Sequence, residues 1–239
     1  MTQKLLLSGV LLVLLQLPAL AQTAEAPTPP SYCKPCLFYS GDYGPKSKNV
    51  NGLSNEEDII VAFSEVFVPF DVPKTQQWKA IGLFTNDFSN VDLLDPKQAV
   101  WSISTGLKNG SCGTVVVSGN SHATFRPTGR SSFGLNEYTT LVKIKAAHLK
   151  PGRYWLTTVP ECTQGSSCDQ ARYFATEFEG KPVDPFGPPE PCNLSFWRSK
   201  YFGKDKCHRM NVSKGCYRFS AGVLGTKQDG EALLDADSQ

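Results

Sequence analysis

Histidine is scarce in this chain, with three in 239 residues, and methionine is scarcer, with two. Charge of one sign is also lacking: 24 Lys and Arg stand against 22 Asp and Glu. Three histidines leave little material for a His-rich metal centre or for a Ser-His or Cys-His relay. A near-neutral balance argues against a specific nucleic-acid partner. No G-x-S-x-G, H-E-x-x-H, Walker A or G-x-G-x-x-G pattern occurs. The nucleophile elbow, the zincin site, the phosphate loop and the dinucleotide fingerprint are therefore missing. No segment holds a 3.6-residue period between helix caps, and no internal repeat stands out.

What is present begins with an address. Residues 1–21 carry one charge, Lys4, then an apolar run from Leu5 to Leu17, Pro18, and Ala19-Leu20-Ala21. This is the layout of a signal peptide, too short to span a bilayer at about 20 residues per crossing. We expect cleavage after Ala21, a secreted, extracellular or periplasmic mature protein, and no transmembrane segment after processing.

Eight cysteines follow, all beyond that segment: Cys33, Cys36, Cys112, Cys162, Cys168, Cys192, Cys207 and Cys216. An even count in an exported chain favours disulfides. Cys162 with Cys168, and Cys207 with Cys216, are the expected local pairs. Cys33-Lys34-Pro35-Cys36 has the spacing of a redox motif, but it lies in a Pro-rich stretch and not between a strand and a helix, so a structural role is favoured.

Hydrophobic residues make up 40% of the chain and aromatics 11%, enough for a packed core. Residues 22–54 read as a Pro-rich N-terminal segment. Strand candidates then recur: Ile59–Phe70, Trp78–Thr85, Ala99–Ser104, Thr114–Ser118, His122–Arg126, Tyr138–Lys145, Arg153–Val159 and Arg172–Phe178. Ala99, Trp101 and Ile103 alternate onto one face. Gly119-Asn120 reads as a hairpin turn between two of the strands. Tyr154 and Trp155 must point to opposite faces of theirs. The pattern predicts an all-β fold, an antiparallel β-sandwich resembling a jelly roll, over residues 55–180. Residues 181–192 read as a Pro-rich linker, 193–225 as a small disulfide-stapled extension, and 226–239 as an acidic disordered tail.

Three stretches carry a resemblance: Trp101-Ser-Ile-Ser-Thr-Gly106, Thr128-Gly-Arg-Ser-Ser-Phe-Gly134 running into Glu137-Tyr138, and Pro151-Gly-Arg-Tyr-Trp-Leu156. In order and spacing they are similar to motifs of secreted bacterial β-sandwich proteins of uncharacterised function. The resemblance implies the fold and export, and it carries over no catalytic residue. It also implies a bacterial host, in which the sequons at Asn109, Asn193 and Asn211 have no meaning. The chain departs from that group in its many cysteines and in everything after Pro191. Read from the residues alone, Arg130 has Glu137 as its expected partner across a hairpin.

Two clusters could bind something. Asp87, Asp92 and Asp95, with Asn86 and Asn90 among them, form the densest group of oxygen ligands and are candidates for a structural calcium. The same residues also make turns. Between Cys192 and Arg218 lie seven cations and one acid, Asp205, interleaved with aromatics. Arg198, Lys200, Lys204, Trp197 and Tyr201 are candidates for stacking on a sugar and pairing with phosphate or sulfate. The alternative is that these aromatics form the core of a small hairpin. Ser121 and His122 are chain neighbours on a strand, point apart and cannot act as a nucleophile and base. His148 in a polar turn and His208 beside Cys207 read as structural or solvated.

The reading is an exported, non-enzymatic β-sandwich with a surface-structural, adhesive or ligand-binding role, its partner a glycan or envelope component. The first alternative is a carbohydrate- or polyanion-binding module. The second is a glycan hydrolase built on two carboxylates. For that case Glu65, between Phe63 and Phe67, is the acid to test.

Overall fold

The computed structural model describes residues 30–42, 53–56, 63–89, 98–132, 134–161, 174–175, 177–178, 195–209 and 218–229. Among them are strands and no helix: β1 (Cys36–Tyr39), β2 (Leu53–Ser54), β3 (Ser64–Val72), β4 (Gln76–Ser89), β5 (Gln98–Thr105), β6 (Thr114–Ser132), β7 (Leu135–Leu149), β8 (Gly152–Glu161), β9 (Phe174–Ala175), β10 (Glu177–Phe178), β11 (Phe196–Ser199), β12 (Lys204–Arg209), β13 (Arg218–Phe219) and β14 (Ala221–Asp229). The fold is all-β and antiparallel. The main sheet runs β1-β14-β4-β7-β6-β5-β8-β3-β11-β12, with β9 bridging β2 and β4, and β10 pairs separately with β13.

This sheet closes over itself. Val68 and Phe70 of β3, Trp101 and Ile103 of β5 and Leu156 of β8 share one core with Trp78 and Leu83 of β4, Val142 of β7 and Val223 of β14. Phe70 stacks on Trp78 with ring centroids 6.0 Å apart and on Tyr154 at 5.7 Å. Phe70 and Trp78 are buried and Tyr154 partly so; full burial of a ring such as Phe70 stabilises the fold by about 1.5–3 kcal/mol relative to exposure.

The expected turn at Gly119-Asn120 is not there. The strand β6 runs unbroken for 19 residues. Its first half pairs with β5, Thr114 opposite Thr105 through His122 opposite Gln98, and its second half with β7, Ala123 opposite Val142 onward. Gly119 serves close approach instead. A Cβ at that position would lie 2.7 Å from Cζ2 of Trp101, the residue paired with it. Glycine lets the indole lie against the neighbouring strand, and Trp101 Nε1 then donates to Ser121 Oγ at 2.9 Å.

Chain beyond residue 192 joins the sheet. The strand β11 pairs with β3, and β14 lies between β1 and β4. Pairing in β14 continues to Asp229 opposite Gln76, four residues into the stretch expected as an acidic tail. Tyr154 and Trp155 do face opposite ways: Tyr154 packs on the main core and Trp155 lies in a second cluster on the outer face.

A candidate binding face around Arg198

The outer face of β3, β8 and β5 carries an apolar cluster and, beside it, a cleft that shares Phe67 and Cys112 with that cluster. In the cluster Phe67, Trp155, Phe196 and Leu107 pack together, with Cys112 and Cys207 beside them. Leu107 and Cys112 come from the 106–113 loop, and Phe196 and Cys207 from the β11–β12 hairpin, which continues the sheet beyond β3. Cys112 and Cys207 bond at an S–S distance of 2.06 Å across 95 residues and clasp the loop to the hairpin. Gly110 N donates to Cys207 O at 2.8 Å and Arg209 N to Asn109 Oδ1 at 3.2 Å. The expected Cys207–Cys216 pair is thereby corrected. Cys207 points inward on β12 against the outer cluster, where Cys112 arrives from a distant loop. Cys162, Cys168, Cys192 and Cys216 lie outside the described residues. Cys33 and Cys36 are bonded to each other.

Beside this cluster the same strands line a cleft of about 250 Å³. Its lining joins Glu65, Arg198, Ser102, Ser104 and Thr157 to the apolar side chains of Phe63, Phe67, Val100 and Val115. Arg198 Nε donates to Glu65 Oε1, across directly paired positions of β11 and β3. The Arg198 guanidinium also lies over the Phe63 ring, 5.2 Å from its centroid. Phe63 has φ of 43°, in the left-handed region that a bulky residue rarely adopts. Its carbonyl accepts from Lys200 N at 3.3 Å, so the hairpin holds it in place. Thr157 Oγ1 is buried and has no hydrogen-bond partner among the described residues.

Arg198 of the cleft leads into the hairpin end. Lys200 and Lys204 are exposed, and Tyr201 and Phe202 are 47% and 46% exposed, with ring centroids 4.8 Å apart. Trp197 is instead spent on structure: its Nε1 donates to Ser54 O at 3.1 Å and its ring packs on the main core. The structure thus brings Arg198, Lys200, Lys204 and Tyr201 to one end of the molecule, and Trp197 anchors them.

The calcium candidates fare differently. Asp87 is fully buried between the layers. Its Oδ1 accepts from Asn55 Nδ2 at 3.0 Å and its Oδ2 from Thr85 Oγ1 at 2.7 Å and Thr140 Oγ1 at 3.3 Å. Burial pushes its pKa up to about 7 against the pull of these donors. Asp92 and Asp95 lie outside the described residues. Among the described residues no three His, Cys, Asp or Glu side chains gather as a metal site.

The expected Arg130–Glu137 pair forms and is larger than expected. Arg130 Nε donates to Glu137 Oε2, Thr128 Oγ1 donates to the same oxygen at 2.6 Å, and Arg130 Nη1 meets Asp42 Oδ1 at 2.7 Å. Glu137 is buried, and burial raises its pKa.

Sequence reasoning missed Ser102, Ser104, Thr157 and Phe63. The alternation of β5 held a signal, because placing Trp101 and Ile103 inward puts Ser102 and Ser104 outward. No local pattern could bring β3, β8 and β11 beside them. Comparison with known proteins adds nothing to this geometry: no family model matches the chain, and no curated protein is similar to it.

Proposed function

We propose that this protein is an exported, non-enzymatic binding module that holds an acidic glycan or a related polyanion on the β11–β12 hairpin. The observation that carries this is the pairing of exposed Tyr201 and Phe202 with Lys200 and Lys204 on a hairpin fixed to the sheet by β3 and by the Cys112–Cys207 clasp. Aromatic rings left in water beside cations suit a ligand with apolar ring faces and negative groups. The bonded Cys33–Cys36 and Cys112–Cys207 pairs fit an oxidising compartment, as export requires. Glu65 supports the non-enzymatic side of the reading, since it is engaged in fixing Arg198.

The test is binding of the mature protein to sulfated and phosphorylated polysaccharides at rising salt. Wild type binds, and binding weakens as salt screens the lysines. Lys200→Ala with Lys204→Ala removes most of it while stability stays within about 0.5 kcal/mol, as for exposed side chains in general. Arg198 is left intact because it is part of the fold. Salt-independent binding, or full binding by the double variant, overturns the assignment.

A further inference from the structure

We infer that the cleft lined by Glu65 and Arg198 is a subsite for one neutral, hydroxyl-rich ring of pyranose size. This rests on the glycan-binding reading above and adds what that reading lacks, a place for an uncharged sugar unit.

Size comes first. Pockets for drug-sized ligands run from about 300 Å³ upward. A cleft of about 250 Å³ takes something smaller, of the order of a single ring. Charge comes second. Glu65 and Arg198 are the ionisable side chains lining the cleft, and they neutralise each other. An anion would compete with Glu65 for the guanidinium, and a cation would compete with Arg198 for the carboxylate. A neutral ligand disturbs neither.

Hydrogen bonding narrows the class. Ser102, Ser104 and Thr157 present hydroxyls, each able to donate one hydrogen bond and accept others. The guanidinium fork offers donors only, and the carboxylate acceptors only. Adjacent hydroxyls on a sugar ring both donate and accept, so they match this mixture. A wholly apolar ligand would leave these groups unmet, and the apolar lining from Phe63, Phe67, Val100 and Val115 suits the C–H face of a sugar ring.

Two independent features mark the cleft as more than a fold in the surface. Thr157 is 1% exposed, and among the described residues its Oγ1 has no partner; of the six buried side-chain atoms in that state it is the one that lines the cleft. A buried hydroxyl left unpaired costs about 1–3 kcal/mol, and a residue serving the fold alone would be better as Val. Phe63 holds a left-handed backbone at the rim, where strain of this kind gathers around ligand sites. A ring hydroxyl reaching Thr157 would satisfy the first, and the second fixes the wall against which the ring would sit.

The experiment is saturation-transfer NMR with the methyl pyranosides of glucose, galactose, mannose and N-acetylglucosamine on the full mature protein. It is run on wild type, Thr157→Val, Ser102→Ala and the Lys200→Ala, Lys204→Ala double variant, with Tm measured for each. At least one pyranoside binds wild type. Thr157→Val binds it about tenfold more weakly, yet its Tm is unchanged or higher because an unpaired hydroxyl is gone. The lysine variant keeps the neutral ring and loses the polyanion. Ser102→Ala weakens the ring in the same way and supplies the answer if Thr157→Val does not fold. No pyranoside binding to wild type overturns the subsite, as does equal binding by both cleft variants. A wild type that binds a pyranoside but no sulfated or phosphorylated polysaccharide would instead strike the hairpin reading and leave the subsite standing.

Discussion

The strands β3, β5 and β8 each have an inner and an outer face, and the two faces are finished differently. The inner face offers Val68, Phe70, Trp101, Ile103 and Leu156 to a core completed by the opposite layer. Where it is polar, it is supplied with partners. Thr158 Oγ1 meets Thr85 Oγ1 at 2.6 Å, and Asn55 Nδ2 donates to both Asp87 Oδ1 and Thr158 O. The outer face, among the described residues, packs a smaller cluster. Phe67 and Trp155 meet side chains of a loop and of the β11–β12 hairpin, which a disulfide joins. Next to them Thr157 Oγ1 has no hydrogen-bond partner among the described residues. The inner face is closed by β4, β7 and β14 of the same sheet. The outer face, where described, is held by a loop, a hairpin and a disulfide, and it has room to expose functional groups. The candidate site lies beside that cluster.

The largest effect should come from the clasp. Bridging residues 95 apart in sequence removes much of the freedom of the unfolded chain. Removing a native bridge of this kind typically costs about 2–5 kcal/mol. Cys112→Ser with Cys207→Ser should lower the urea midpoint by a corresponding amount. It should also raise the fluorescence of a hydrophobic dye, as the 106–113 loop lifts from Trp155. A variant with an unchanged midpoint and no new dye binding would mean that the outer cluster holds the loop and the hairpin without the bridge.

These same elements show what was legible in the sequence. The alternation of β5 and the opposed faces of Tyr154 and Trp155 follow from a two-residue period and needed no long-range information. So did the all-β character. The bond between Cys112 and Cys207 was illegible because it depends on which strands become neighbours, and eight cysteines allow 105 pairings. Gly119-Asn120 was misread for a related reason. A glycine needed for contact with Trp101 on the next strand looks, in sequence, like a glycine needed for a turn. Asp87 looked like a surface ligand because Asn and Asp surround it, whereas β4 turns it inward onto Asn55, Thr85 and Thr140. Arg198 and Lys200 were legible as a charged group. That Arg198 would be anchored to Glu65 was not, because β3 and β11 are 133 residues apart at that contact.

The inner face makes a prediction of intermediate size through Asp87. Its carboxyl has a pKa of about 7 when folded, against 3.8 in the unfolded chain, because burial disfavours the charge. The folded state therefore holds a proton that the unfolded state gives up. Stability from this group is full below pH 3.8 and is lost as pH rises through about 7. Glu137 is shifted in the same direction by burial, so it adds a slope of the same sign. Asp87→Asn cannot ionise. It should match wild type near pH 4 and exceed it in Tm at pH 8, leaving the shallower slope due to Glu137. Parallel wild-type and variant curves from pH 4 to 8 would show that Asp87 keeps its charge state on folding.

The smallest effect is expected at the far end of β3 from Glu65. Asp71 and Arg153 are directly paired across β3 and β8, and they meet twice: Arg153 Nε with Asp71 Oδ1 and Arg153 Nη2 with Asp71 Oδ2, both at 2.9 Å. The geometry is bidentate, the best an Arg–carboxylate pair can have. Yet the two side chains are 36% and 29% exposed, so water and salt share the interaction. Glu65 and Arg198 form the contrasting pair on the same strand, with the carboxylate almost fully enclosed at 4% exposure. Exposure, more than contact geometry, sets what an ion pair contributes. Asp71→Asn should therefore cost about 0.2–1 kcal/mol. The difference from wild type should shrink in 1 M salt, where the screening length falls to about 3 Å. Urea unfolding at low and high salt measures both. A loss well above this range that salt leaves unchanged would place the Asp71–Arg153 pair with the enclosed one, and would mean that the outer face is sealed along the whole of β3.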